Sequence, residues 1–312
     1  MFLSSDIQKT RFFPGDLVKV LPLDEILATL DEQGTLGKLP FMPEMREFCG
    51  RQFRVSRRAF KTCVDDGEMR RLDDTVFLEN IRCGGQAHGG CDKACLIFWK
   101  EAWLRPTGDI DCQPATREAK INELDLFELA RRGDQFFCQS SEIVNASKPL
   151  PWWEPRQYAL DLLHNRISIA QWLKGMFIAF YNRVARATGG QSWRFVSGPG
   201  TYNGTRSNLN LQPGDLVQVK SLDRIRETLD ADGKHQHLLF APSMTEFCGS
   251  VMRVQKRVER IVLEGSPRQR AIKDTVLLDG ATCDGVCHRL CPRQSLLFWR
   301  ECWLEKVNGS KN

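Results

Sequence analysis

One domain-sized pattern occurs twice in this chain, and that repeat limits the possible folds more than any other feature. Pro14-Gly15-Asp16-Leu17-Val18-Lys19-Val20 returns as Pro213-Gly214-Asp215-Leu216-Val217-Gln218-Val219. The same offset pairs Leu23, Asp24, Ile26, Thr29 and Leu30 with Leu222, Asp223, Ile225, Thr228 and Leu229. It also pairs Pro43, Met45, Glu47, Phe48, Cys49 and Gly50 with Pro242, Met244, Glu246, Phe247, Cys248 and Gly249. One inserted residue later, Asp74-Thr75-Val76 matches Asp274-Thr275-Val276, and Phe98-Trp99-Lys100-Glu101 matches Phe298-Trp299-Arg300-Glu301. Chance does not produce such a series, so the architecture must be built from two like units.

Within each copy the local pattern favours short strands. Leu17–Val20, Phe53–Val55, Thr75–Leu78 and Leu96–Trp99 are rich in β-branched and aromatic residues, with Gly or Asp near several of their ends. A short helix is expected at Asp24–Leu30, where Leu23, Ile26, Leu27 and Leu30 fall at helical spacing and Gly34 follows. These elements predict an α+β protein in which two homologous small β-barrel-like zinc-binding domains are joined by a helical middle segment. The expected boundaries are 1–112 for the first repeat, 113–205 for the connecting domain and 206–312 for the second repeat. The run Pro14–Val20 resembles the first strand of KOW-type and related small barrels.

Cysteine and histidine spacing supplies the strongest chemical statement. Cys49, Cys83, His88 and Cys91 in the first copy correspond to Cys248, Cys283, His288 and Cys291 in the second. Each Cys-x4-His-x2-Cys loop offers three ligands, and the distant cysteine can close a tetrahedron, as structural zinc requires. Only five histidines occur in the chain, and two share this repeat position. Two zinc ions are therefore expected, structural in role because four protein ligands leave no open position. Buried inert cysteine is the plainer reading, but it leaves the matched histidine unexplained. Cys283-Asp-Gly-Val-Cys287-His288 is one residue too long for c-type haem attachment and lacks a counterpart of Cys287 in the first copy.

The middle segment has no counterpart elsewhere in the chain. Ser168 can cap a helix in which Ile169, Trp172, Leu173, Met176, Phe177, Phe180, Tyr181 and Val184 recur at helical spacing, with Gly189-Gly190 ending it. That stripe is expected to be core; a membrane-surface or docking helix is the alternative, because Lys174, Arg183 and Arg186 accompany it. Further helices are expected at Lys120–Arg132 and from Pro155 onward. Trp152 and Trp153 beside Arg156 are expected to plug a core; with Cys138 and Glu142 they could instead form a partner or substrate surface.

Composition narrows the function classes. No stretch of about 20 apolar residues occurs, so no transmembrane segment is expected. The N-terminus lacks a basic region followed by an apolar run, which points to the cytoplasm. In that compartment twelve cysteines read as thiols and metal ligands. The net charge of +5 permits an acidic partner without demanding nucleic acid. The runs Phe41–Gly50, Cys95–Leu104 and Cys291–Leu304, with Cys138-Gln139 and Trp153-x-x-Arg156-Gln157-Tyr158, resemble a family of uncharacterised bacterial proteins. The resemblance spans nearly the whole chain. Members are encoded near surface-polysaccharide or secondary-metabolite enzymes, which implies a biosynthesis accessory in a bacterial cytoplasm.

Three functions stand open. The expected one is a zinc-stabilised tandem-repeat binding or scaffold protein for a protein or peptide partner, consistent with the lack of any phosphate loop, nucleophile elbow or dinucleotide fingerprint. Nucleic-acid binding is a second, because Arg54, Arg57, Arg58 and Lys61, and Arg253, Lys256, Arg257 and Arg260, form a basic strand in each copy. A metal- or Cys138-dependent enzyme is the third.

Overall fold

Strand Leu17–Val20 alternates exposed and buried residues, so Val18 and Val20 point into a core while Leu17 and Lys19 face out. It lies near one edge of a five-stranded antiparallel sheet. In the computed structural model, which describes residues 12–64, 67–107, 119–165, 167–199 and 209–307, the strand order is 99–100, 75–78, 52–58, 17–20, 104–106. A second sheet runs 296–300, 275–282, 251–257, 216–219, 304–306 in the same order. The registers agree as well: Leu17 pairs with Arg54 and Leu216 with Arg253. A bulge falls between Val55 and Arg57 in one sheet and between Val254 and Lys256 in the other. The fold is α+β. The expected boundaries at 112–113 and 205–206 lie outside the described residues, as does the N-terminal segment 1–6.

Large aromatics fill both cores. Trp99, Trp103, Trp299 and Trp303 are wholly buried. The indole N–H of Trp103 donates to Thr29 Oγ1 at 3.1 Å, and that of Trp303 to Thr228 Oγ1 at 3.0 Å, whereas the buried indole N–H groups of Trp99 and Trp299 have no hydrogen-bond partner. Helices α1 (Leu23–Leu27) and α5 (Leu222–Arg226) bury Ile26 and Ile225 against the two sheets. Strand Trp99–Lys100 is shorter than the expected 96–99 run, whereas its counterpart extends over Leu296–Arg300.

The middle segment carries α2 (Glu123–Ala130), α3 (Arg156–His164) and α4 (Ile169–Thr188). Asn122 caps α2, Ser168 caps α4, and Gly189 in a left-handed conformation ends α4. The segment is not purely helical: Lys148–Pro149 adds a strand to the hairpin formed by Lys61–Cys63 and Met69–Arg71.

The apolar stripe of α4 is not core. Ile169, Leu173, Phe177, Phe180, Tyr181 and Val184 are all exposed, and the helix instead buries Gly175, Ile178, Asn182 and Ala185. The small residues decide this, because they let the helix backbone approach the 286–290 loop. A Cβ on Gly175 would lie only 2.6 Å from Leu290 Cδ2. Periodicity located the helix, but not which face its neighbours would cover.

Candidate metal centre and aromatic cleft

The loop carrying His88 and Cys91 closes on Gly85, whose carbonyl accepts from the backbone N–H groups of His88, Gly90 and Cys91 at 3.0–3.1 Å. Gly85 has a φ of 74°, and a Cβ there would overlap the Cys91 carbonyl. Gly285 has the same role beside Cys291. Glycine is therefore the residue that allows this turn.

In the first repeat the loop brings His88 against Glu44 of the 3-10 segment Pro43–Phe48, with Nδ1 to Oε1 at 2.9 Å. The same Oε1 accepts the Ala87 N–H at 3.0 Å. Burial pushes the Glu44 carboxyl up, but the hydrogen bond and charge of His88 outweigh it and hold the group below the ordinary carboxylate value. His88 is buried, and its Nε2 has no hydrogen-bond partner. Among the described residues, one group of side chains has ligand atoms within 4.8 Å of one another: Glu44, Cys83 and His88. Cys83, His88, Cys91, Cys95 and Cys138 share the wall of a cavity of about 20 Å³.

Cys49 stands apart from that group. Its Sγ faces the Met45 carbonyl at 3.9 Å, and burial raises the thiol to about 11. Cys248 repeats that contact with Met244 at 3.9 Å. Cys91 Sγ accepts the Val262 N–H at 3.3 Å.

The second repeat differs at the decisive positions. Ser243 stands where the first copy has Glu44, and Ser295 where it has Cys95. Ser243 Oγ contacts Cys283 Sγ at 3.6 Å and Asp284 at 2.8 Å. His288 lines a cleft beside α4, and burial lowers its pKa. Cys291 accepts the Cys63 N–H at 3.3 Å. Among the described residues, Cys248, Cys283, His288 and Cys291 do not form a ligand cluster of the kind seen in the first repeat.

Sequence reasoning missed Glu44. Comparing the copies selects residues that recur, and Glu44 does not; the usable signal was a carboxylate five positions before Cys49.

The middle-segment candidates separate. Cys138 is buried in the first core, and burial raises its thiol to about 12, which opposes the thiolate a nucleophile needs. Glu142 bonds locally to Ser141 and Asn145. Arg156 lines a cavity of about 340 Å³ with Arg58, Arg71 and His164. Trp152 and Trp153 do not plug a core. They are 43% and 68% exposed, meet edge-to-face at 6.2 Å, and line a cleft of about 930 Å³. The Arg183 guanidinium stacks on Trp152 at 3.9 Å. Across the cleft, Arg289 donates to the Leu150 carbonyl at 3.1 Å.

Of the two basic strands, Arg58 and Lys61 are buried, while Arg54, Arg253, Lys256 and Arg260 stay exposed. Arg58 meets Glu101 at 2.5 Å, Lys61 meets Asp161 at 2.6 Å, Arg257 meets Glu301 at 3.0 Å, and Lys256 meets Asp92 at 2.7 Å. Arg54 and Arg253 donate to the Gly15 and Gly214 carbonyls.

Comparison of the chain with protein-family models, curated proteins and solved structures gives no match.

Proposed function

We propose that the chain is a zinc-stabilised tandem-repeat binding protein whose first repeat holds one structural zinc ion and whose Trp152–Trp153 cleft receives a protein or peptide partner. Support for the metal comes from the pairing of Glu44 with His88 Nδ1, which leaves the buried Nε2 free for a cation. A carboxylate behind a ligating histidine is the usual supporting arrangement in zinc sites. Cys83, whose Sγ falls in that group, would supply one thiolate, and Cys91 and Cys95 of the same cavity wall the other two. Bound zinc would supply folding free energy by tying the 83–91 loop to the core. The repeat alone argued for two ions; the Ser243 and Ser295 replacements favour one.

The exposed tryptophan pair carries the binding reading. Two large rings with a stacked arginine, left open beside a wide cleft, are the side chains that dominate partner affinity. Arg58, Lys61, Lys256 and Arg257 are each paired with a carboxylate, which lowers the positive charge available to nucleic acid. The test compares affinity capture from the native host by wild type and by Trp152→Ala/Trp153→Ala, with melting temperature as a control. Loss of an enriched protein only in the variant supports the cleft. Equal capture by both, or none by either, removes it.

A second reading has Glu44 itself as a ligand, since its oxygen falls in the cluster with Cys83 and His88. Three protein ligands would then leave a position for water, as in catalytic zinc sites. X-ray absorption separates the two by counting sulfur neighbours.

A further inference from the structure

The exposed face of α4 shares Phe180 and Arg183 with the wall of the partner cleft and extends past it through Ile169, Leu173, Phe177, Tyr181 and Val184. At 3.6 residues per turn, Ile169, Leu173, Phe177, Phe180, Tyr181 and Val184 span an arc of about 120°. Each is 41% exposed or more, and Ile169 reaches 71%. Lys174 flanks this arc on one side and Arg183 on the other, while Arg186 lies on the far side of the helix, at the cleft. All three cations are exposed, and α4 contains no Asp or Glu. Among the described residues, no helix is long and apolar enough to cross a membrane.

Charge decides among the occupants. Two copies of this face pressed together would set cations against cations, which opposes self-association. An anionic lipid surface complements both flanks and takes the apolar arc into its outer acyl region. Exposed Trp153 beside Phe180 at the cleft, and Tyr181 on the arc, are ring types that favour the membrane–water boundary. We infer that α4 is an interfacial membrane-docking helix, lying flat on an anionic lipid surface with its 169–184 face buried among the headgroups.

Flotation of the full chain with phosphatidylcholine vesicles, with and without phosphatidylglycerol, tests this. Binding is expected to require phosphatidylglycerol and to weaken as salt rises. Ile169→Glu/Leu173→Glu should abolish it, and Lys174→Glu should lower it by about tenfold or more. None of these three residues lines the Trp152–Trp153 cleft, so partner capture should survive in the variants. Circular dichroism and melting confirm that each variant is folded. Three results would overturn the inference: no vesicle binding by wild type, equal binding to both lipid compositions, or unchanged binding by the double variant. A wild-type dimer that the double variant converts to monomer would assign the face to self-association instead.

Discussion

Individual buried charges show which side chains the fold depends on. Glu264 lies between Lys93 at 2.9 Å and Arg293 at 2.5 Å, and it is almost fully buried. Burial alone would raise its carboxyl, but the two cations outweigh that and hold it at about 2, against an ordinary value of 4.5. A folded value below the unfolded one means the carboxylate stabilises the protein above pH 4.5 and loses that contribution as pH falls toward 2. The gap corresponds to about 3 kcal/mol. Glu264→Gln should therefore lose about 3–5 kcal/mol at pH 7, because it removes the one carboxylate that both buried cations share. Its stability should also depend less steeply on pH between 4.5 and 2 than that of wild type. Urea unfolding at pH 7, 4.5 and 3 measures both, and parallel pH profiles would refute the assignment.

At the scale of elements, the 286–290 loop and α4 are matched by size as well as polarity. Gly175 sits so close to Leu290 that any Cβ must displace it. Gly175→Val should cost about 1–3 kcal/mol by overpacking, read as a lower melting temperature. An unchanged melt would mean that α4 does not pack on this loop. Helical periodicity, the Ser168 cap and the Gly189 stop located α4 almost to the residue, because these signals are local. Its buried side was not legible, because packing chose Gly175 and Ala185 for close approach over the larger residues. The cysteine loops were legible through their repetition, and Glu44 was hidden by its replacement with Ser243. Trp152 and Trp153 went against the expectation that large rings are buried, which marks them as functional candidates.

Across the whole molecule, the two repeats contact each other reciprocally through their cysteine loops and the hairpins 61–71 and 260–271. Cys63 N–H donates to Cys291, and Val262 N–H donates to Cys91, both at 3.3 Å. Lys61 donates to the Arg289 carbonyl at 2.5 Å, while the Arg260 carbonyl accepts the Asp92 N–H at 2.8 Å. Each cysteine loop thus rests on the hairpin of the opposite repeat, in the self-complementary manner of a two-fold interface. The middle segment reinforces this arrangement through Phe136 N–H to the Pro267 carbonyl at 2.8 Å and Gly265 N–H to the Ser140 carbonyl at 3.1 Å. Metal bound at the first loop would consequently act on both halves, since Gln269 of the second repeat donates to the His88 and Gly89 carbonyls.

Zinc content per chain tests this most directly, measured by elemental analysis of wild type, Cys83→Ser and Cys283→Ser purified from zinc-supplemented cells. The expected result is one equivalent in wild type, almost none in Cys83→Ser, and one in Cys283→Ser. No zinc in wild type, two equivalents in wild type, or loss of the ion in Cys283→Ser would contradict a single site built on Glu44, Cys83 and His88.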